Sequence, residues 1–251
     1  MLQSGHGHSE KQPKLNVYLA RTSSEIREAQ RLRYRVFAEE MGARLQGSGD
    51  GVDEDFFDPY CDHLVVTDEE TGEVLGTYRI LSGSTAQRLG GFYSDQEFDL
   101  TRLAHLRDRA VELGRSCVHP DRRVGGVIAL LWAGLAQYMR QHGYEYIIGC
   151  ASMSMADGGR SAASAYARLA ESHMSPGEYR VFPRCPLPLH DLDRSASPVL
   201  PPLIKAYLRV GAWVCGDPSW DPDFNTADLL MMLPLSRVNQ RYAKHFMRNA
   251  A

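Results

Sequence analysis

What this sequence lacks narrows what the chain can be. No apolar run reaches the roughly 20 residues needed to span a bilayer. Neither sign of charge dominates: 28 Lys and Arg stand against 31 Asp and Glu, a formal net charge of -3. Nothing in that balance supports nucleic-acid binding. Cysteine is sparse. Cys61, Cys117, Cys150, Cys185 and Cys215 are odd in number, widely spread and form no close pair. That argues against a disulfide framework or a zinc site, so we expect no metal and reduced thiols in the cytoplasm. Residues 1–14 are polar, lack the apolar core of a secretory signal, and are expected to be a disordered lead-in. There is no internal repeat. The remaining 15–251, in a chain that is 43% hydrophobic and 24% charged, have the composition of one ordinary globular domain.

Turn and cap residues divide the chain. Val17 to Ala20 is a short strand. Thr22 with Glu25 three residues on is a capping box that starts a helix running to about Met41. Gly42 to Asp55 is a glycine-rich acidic loop. His63 to Thr67 and Val74 to Leu81 are antiparallel strands joined near Thr71-Gly72. Ala86 to Leu106 is helical in pieces. A charged strand, a long apolar helix from Val127 to Met139 and a strand from Tyr146 to Met153 make a right-handed βαβ unit. Ser161 to Glu171 is a short helix, and the proline-rich 183–202 is an extended connection. An apolar segment Ile204 to Val210, a strand Asp228 to Leu233 and a basic helix from Ser236 follow.

The most informative stretch joins the charged strand to the long helix: Val111-Glu112-Leu113-Gly114-Arg115-Ser116-Cys117-Val118-His119-Pro120-Asp121-Arg122-Arg123-Val124-Gly125-Gly126. A basic, glycine-containing turn before a helix start offers unpaired N–H groups and a positive dipole end, which suits an anion. A glutamate on the strand before it is costly to bury without a partner or a task. Together they point to group transfer from a phosphate-bearing carrier to a nucleophile that must lose a proton. In a regular strand Glu112 and Arg115 face opposite sides; a bulge at Gly114 would bring them together, whereas an edge strand would leave one in solvent.

Upstream, Arg33 shares a helix face with Ala29 and Phe37, either at the margin of the apolar stripe or turned into a site. Asp53, Asp55 and Asp58 crowd one loop, either solvated or serving as partners; their spacing is not that of a calcium loop. Arg79 lies in an apolar strand, where its charge needs a partner that this loop can supply.

Leu32-Arg33-Tyr34-Arg35-Val36-Phe37, Asp53-x-Asp55-x-x-Asp58, Gly76-Thr77-Tyr78-Arg79-Ile80-Leu81 and Glu112-x-x-Arg115 resemble, in order and spacing, the acyl-homoserine lactone synthases. The tryptophan usual there after the first helix is replaced by Gly42-Ala43-Arg44. The second half resembles the bacterial L-ornithine Nα-acyltransferases, through Ser116-Cys117-Val118-His119-Pro120-Asp121, Ser152-Met153-Ser154-Met155-Ala156-Asp157 and Asp221-Pro222-Asp223-Phe224-Asn225-Thr226-Ala227-Asp228. That resemblance runs from Arg27 to Phe246. It implies an α/β, GNAT-like acyltransferase fold, a mixed central sheet flanked by helices. It also implies transfer of a 3-hydroxyacyl chain from acyl carrier protein to the α-amine of ornithine. The signature for a coenzyme A pyrophosphate is only partly met, as Arg122-x-x-Gly125-x-Val127, which is compatible with a carrier-bound pantetheine.

On this reading no cofactor is resident, and the acyl-4'-phosphopantetheine of acyl carrier protein is the donor. Arg122, Arg123, Gly125 and Gly126 would hold the phosphate, and backbone N–H near Val118 would polarise the thioester. Glu112 would take the proton of the attacking amine, directly or through a water. The charge cluster Arg33, Asp53, Asp55, Asp58, Arg79 and Arg115 would bind the amino acid, the aspartates taking its cationic side chain and an arginine its carboxylate. Cys117 and Cys150 are read as structural. Arg237, Arg241, Lys244, His245 and Arg248 would make a basic face suited to peripheral contact with the inner membrane. The alternatives are an N-acyl amino acid synthase with another acceptor such as glycine, a homoserine-lactone synthase, and a membrane-surface binding protein.

Overall fold

Local chemistry sets the first elements. In the computed structural model, which describes residues 14–45, 48–123, 126–197 and 199–238, β1 (Leu15–Leu19) leads to α1 (Ser23–Tyr34). The Thr22 hydroxyl accepts from the Glu25 N–H at 3.2 Å, and the Glu25 carboxylate accepts from the Thr22 N–H at 2.9 Å. This reciprocal box satisfies donors that a helix start would otherwise leave unpaired. The helix then widens into a π turn over Arg35–Glu40. β2 (Asp62–Asp68) and β3 (Val74–Ser82) form the expected hairpin, with Gly72 at φ +74° in its turn; glycine takes that left-handed backbone without a Cβ clash.

The piecewise region resolves into α2 (Gly83–Leu89), a 3₁₀ turn at Tyr93–Gln96, β4 (Phe98–Asp99) and a 3₁₀ run at Thr101–Arg109. Then come β5 (Ala110–Val118), α3 (Gly126–His142), β6 (Tyr146–Ser154), α4 (Arg160–Ser172) and β7 (Phe182–Pro183). The segment from Ile204 belongs to α5 (Pro202–Val210), with Pro202 at its first position. β8 (Trp213–Val214), β9 (Ser219–Asp221) and β10 (Thr226–Pro234) complete the elements.

Two expected boundaries shift. Lys14 already belongs to the fold: its carbonyl accepts from the Glu69 N–H and its ammonium pairs with the Glu69 carboxylate at 2.6 Å. At the other end Leu235–Arg237 is a 3₁₀ turn, tied down by Leu235 N–H to Glu145 O and by Arg237 to Gly211 O. Arg241, Lys244, His245 and Arg248 lie outside the described residues, as do Val124 and Gly125.

The sheet runs β1-β2-β3-β5-β6-β10-β8, with β9 also on β10. Among the described strands β5 and β6 form the parallel pair, the one that α3 connects. On one face α3 packs Val127, Leu131, Leu135 and Met139 against Leu64, Tyr78, Ile80 and Leu113, and α4 and α5 extend the layer over β6 and β10. On the other face α1 lays Ala29, Leu32 and Val36 on Val65, Val74 and Cys117. The segments between β3 and β5 cover Leu81, Ile148, Leu230 and Met232 there.

Two irregularities at the sheet's centre position the site. β5 and β6 pair only from Ala110↔Tyr146 to Glu112↔Ile148. Beyond that they part, β5 staying with β3 and β6 with β10. β5 also bulges: from Thr77 to Arg79 β3 advances two residues, while β5 goes from Cys117 to Gly114. The residue in the left-handed backbone there is Arg115, at φ +50°, and not Gly114. Gly114 keeps an ordinary backbone, and a Cβ built there would make only ordinary contact, 3.7 Å, with the Arg79 guanidinium.

Candidate active site

The face of the sheet that carries α1 holds a closed ring of charge. Arg33, fully buried, donates from Nε to Asp53 at 2.7 Å and from both Nη atoms to Asp58 at 2.5 and 2.9 Å. Arg79 Nη1 donates to Asp55 at 2.6 Å and to Asp58 at 3.1 Å. Arg115 donates to Asp53 at 2.9 Å and to Asp55 at 3.1 Å. Three arginines meet three aspartates, so the ring is neutral. Burial works against the Asp58 charge, but the hydrogen bonds and charge of Arg33, with that of Arg79, outweigh it and hold the carboxyl well below the usual range. Each aspartate is already paired with two of the arginines, which weighs against these aspartates taking the substrate's cationic group. Of the arginines, Arg115 retains the most exposed side chain, at 11%. Its guanidinium stands over the rings of Tyr93 and Phe224, at 5.2 and 5.0 Å from their centroids. These ion pairs and ring contacts compensate the strained backbone of the bulge.

Glu112 is 3% exposed, on the same face as Arg79. Its carboxylate accepts from the N–H groups of Tyr93 and Ser94, at 2.7 and 2.8 Å, and from the Ser94 hydroxyl. Burial pushes its pKa up, and the Ser94 and Tyr93 hydrogen bonds and the Arg79 charge oppose that only in part. Glu112 and Arg115 thus meet through Tyr93 rather than directly. The Ser94 hydroxyl also lies 3.4 Å from the Cys150 thiol, so a hydrogen-bonded path runs from Cys150 to the carboxylate.

Where β5 and β6 part, backbone groups face the gap. His119 N–H donates to Leu75 O at 2.8 Å across β3; strand alternation then turns the Val118 N–H the other way, toward the missing strand. On the α3 face an apolar cavity of about 230 Å³ begins at this point, lined by Leu113, Gly149 and Cys150 and running between Trp132, Ala136 and Val210. The basic turn is a 3₁₀ turn at Pro120–Arg122. Arg122 is exposed, Arg123 is clamped by Glu40 at 2.7 and 2.6 Å, and Gly126 is the exposed first residue of α3. All five cysteines are free thiols. Burial, then the charges of Glu97, Asp228 and Glu112, raise Cys150 well above a normal thiol, so it is protonated and no nucleophile.

Sequence reasoning missed Tyr93 and Ser94, which hold Glu112, and also Glu97 and Asp228, which crowd Cys150 with donor atoms within 4.8 Å of one another. One signal was available: Asp228 is a charge inside an apolar strand, the criterion that singled out Arg79. Nothing local marks Glu97 or Ser94.

Comparison with known proteins accords with this geometry. Residues 32–133 match the acetyltransferase (GNAT) domain family. The fold matches a CoA-dependent acyl-homoserine lactone synthase, MesI (TM-score 0.55, 11% identical, 94% of this chain and 95% of that one). It also matches FeeM, an N-acyl amino acid synthase from uncultured soil microbes (TM-score 0.54, 15% identical, 89% and 92%). In sequence the chain is 38% identical to an L-ornithine N(alpha)-acyltransferase of Rhodobacter capsulatus over 249 residues, which covers 92% of this chain and 94% of the relative. With a parted βαβ strand pair, a buried carboxylate at its apex and that identity over nearly the whole chain, this protein belongs to the L-ornithine Nα-acyltransferase family of GNAT-fold N-acyltransferases.

Proposed function

We propose that the chain transfers a long acyl group, 3-hydroxylated on the family resemblance, from the phosphopantetheine of acyl carrier protein to the α-amine of L-ornithine, giving lyso-ornithine lipid. The observation that carries this reading is the apolar cavity at the parted strands, lined there by Leu113, Gly149 and Cys150, with the Cys150 thiol 3.4 Å from the Ser94 hydroxyl that hydrogen-bonds Glu112. An acyl chain laid in it gains about 0.8 kcal/mol per buried methylene, and its thioester carbonyl then sits at the gap. There the Val118 N–H would donate to the developing oxyanion. The neutral amine attacks the carbonyl carbon, a C–N bond forms, and the C–S bond breaks. The pantetheine thiolate leaves and takes up a proton, while the amine proton passes through the Ser94 hydroxyl to Glu112. A carboxylate raised by burial suits that task better than an ordinary one. Arg115 at the rim would face the acceptor carboxylate. Arg122, Arg123, Gly125 and Gly126 would hold the phosphate, with Arg31, Arg122 and Arg123 meeting the acidic carrier.

Among the described residues no helix is long and apolar enough to cross a membrane. We place the reaction at the cytoplasmic membrane face, which suits an amphiphilic product. The test is purified protein with acyl carrier protein thioesters, or acyl-coenzyme A at matched concentration, and a panel of amino acids read by mass spectrometry. Nα-acylornithine formed preferentially from the carrier is expected. Acylglycine or a homoserine lactone would move the acceptor assignment, and equal turnover with acyl-coenzyme A would remove the carrier. Liposome flotation without any turnover would favour a membrane-surface binding protein.

A further inference from the structure

Past the tip of Glu112, on the same face of the sheet, lies a second group of acids with the opposite bookkeeping from the ring. Glu97 follows the turn that holds Glu112, Asp228 stands on β10, and Cys150 lies between them on β6, all within 4.8 Å by their donor atoms. Both Glu97 carboxyl oxygens and Asp228 Oδ1 are buried and complete no hydrogen bond with a donor. Among the described residues no lysine, arginine or histidine forms an ion pair with either acid. A second observation comes from Thr226, on the same side of β10 as Asp228. It is 3% exposed, and its hydroxyl faces the Asp228 carboxyl yet is itself left without a hydrogen-bond partner of sound geometry. Burying such groups without partners is unfavourable, and a cation with several N–H donors would answer all of them at once. Ser152, paired with Asp228 across β6 and β10, is exposed, so the pair lies next to the protein surface.

We infer that Glu97 and Asp228, with Thr226 beside them, form the pocket for the side-chain ammonium of the diamino-acid acceptor, and that this pocket presents the α-amine to Glu112. The inference rests on the acceptor reading above and adds the origin of the choice between the two amines. Cys150 Sγ is 3.4 Å from Ser94 Oγ, which hydrogen-bonds Glu112, so the pocket adjoins the proposed proton path. An acceptor with one amine held between Glu97 and Asp228 keeps that amine charged and non-nucleophilic, and only its other amine reaches the thioester. No bond forms or breaks at the pocket.

The test uses the full chain with ornithine and with norvaline, which differs only in lacking the side-chain amine. Wild type should prefer ornithine in kcat/KM. Glu97→Gln and Asp228→Asn, each isosteric, should raise KM for ornithine by about 10–100-fold, the range for losing a charge-assisted hydrogen bond in a buried site. They should leave kcat within a few-fold and norvaline kinetics nearly unchanged. A second measurement needs no variant. Ornithine binding, followed by calorimetry in buffers of different ionisation enthalpy, should release more protons than norvaline binding, because burial and the neighbouring Asp228 and Asp221 keep Glu97 protonated until the cation arrives. The other titratable groups facing the pair are Cys150 and Tyr93, with Glu112 beyond Cys150, and both ligands meet them alike. An enzyme that acylates ornithine, but whose preference over norvaline survives both substitutions, overturns the pocket while leaving the acceptor reading intact. Equal proton release with the two ligands also overturns it. A wild-type enzyme that acylates glycine and not ornithine removes the acceptor reading and this pocket with it.

Discussion

Two sets of buried acids share one face of this sheet, separated by the ring of Tyr93, and they are built on opposite plans. Asp53, Asp55 and Asp58 are matched one for one by Arg33, Arg79 and Arg115, every pair within 3.1 Å. Glu97 and Asp228 have no such matching among the described residues. The difference shows in their protonation: Asp58 is held down by its arginines, whereas burial pushes Glu97 and Asp228 up. A neutral ring has no acid to spare for a cation, but it locks the bulge and the acidic loop into one shape. Acids without cations are poor structural elements and good ligands. Composition distinguishes the two sets poorly; only their partners do.

The comparison is most easily broken at Arg33. Arg33→Ala leaves Asp53 and Asp58 buried with a lost partner, and should cost about 3–5 kcal/mol in chemical denaturation. A loss below about 1 kcal/mol would show that the ring is no scaffold. The pH dependence should agree in sign. A carboxyl such as Asp58, depressed in the folded state, stabilises the fold above its unfolded value near pH 4. That contribution is lost as pH falls toward the lower folded value.

Next in size is Glu112→Gln, which keeps the side chain's size but removes a proton acceptor and leaves one of the Tyr93 and Ser94 N–H groups without its carboxylate oxygen. Turnover should fall by about 10²-fold or more, and the loss should shrink between about pH 6 and 9 as more acceptor amine is already neutral. Near-wild-type turnover throughout that range, in a normally folded variant, would leave Glu112 as the residue that merely holds the Tyr93–Gln96 turn.

Asp228→Asn sharpens the contrast with the ring. Its carboxyl is raised in the folded state by burial first. Its charge therefore opposes folding increasingly as pH rises above the unfolded value, the reverse of Asp58. The amide should raise stability by on the order of 1 kcal/mol at neutral pH while weakening ornithine use. A variant that loses both stability and activity would make Asp228 structural.

The apolar side of the site should respond more gradually. Ala136→Leu projects into the cavity from α3 and should shorten the preferred acyl donor, with about 0.8 kcal/mol lost per displaced methylene. A uniform loss for short and long donors would place the chain elsewhere. The smallest effect is expected at Arg122→Glu, which reverses an exposed charge that has no ion-pair partner among the described residues. It should slow carrier-dependent turnover a few-fold at low salt and little at high salt. Arg123→Glu also breaks the Glu40 clamp, so its larger loss would be partly conformational.

Much of the architecture could be read from residues alone because its signals are local. Thr22 and Glu25 announced α1, Thr71-Gly72 the hairpin, and the apolar run after Gly126 the crossover helix. Other features depend on residues far apart in the chain. A strand bulge was expected where a glycine allows positive φ. It formed instead at Arg115, because two ion pairs from another loop and two aromatic rings stabilise that backbone. Likewise Asp53, Asp55 and Asp58 read as acceptors for a substrate cation until the fold brought three arginines onto them.

The sequence by itself determined where the helices after Thr22 and before His142 lie, which strands are paired by a crossover, and which charged side chains stand where a charge must find a partner. It did so because backbone capping, turn conformation and hydrophobic period act within a few residues. Only the tertiary structure decided who those partners are. It closed the Arg–Asp ring, turned the Val118 N–H into the gap between β5 and β6, and opened the cavity behind Cys150. It also left Glu97 and Asp228 side by side with no basic partner among the described residues. Those outcomes depend on desolvation and on distances between segments far apart in the chain, and neither is written in any local stretch of it.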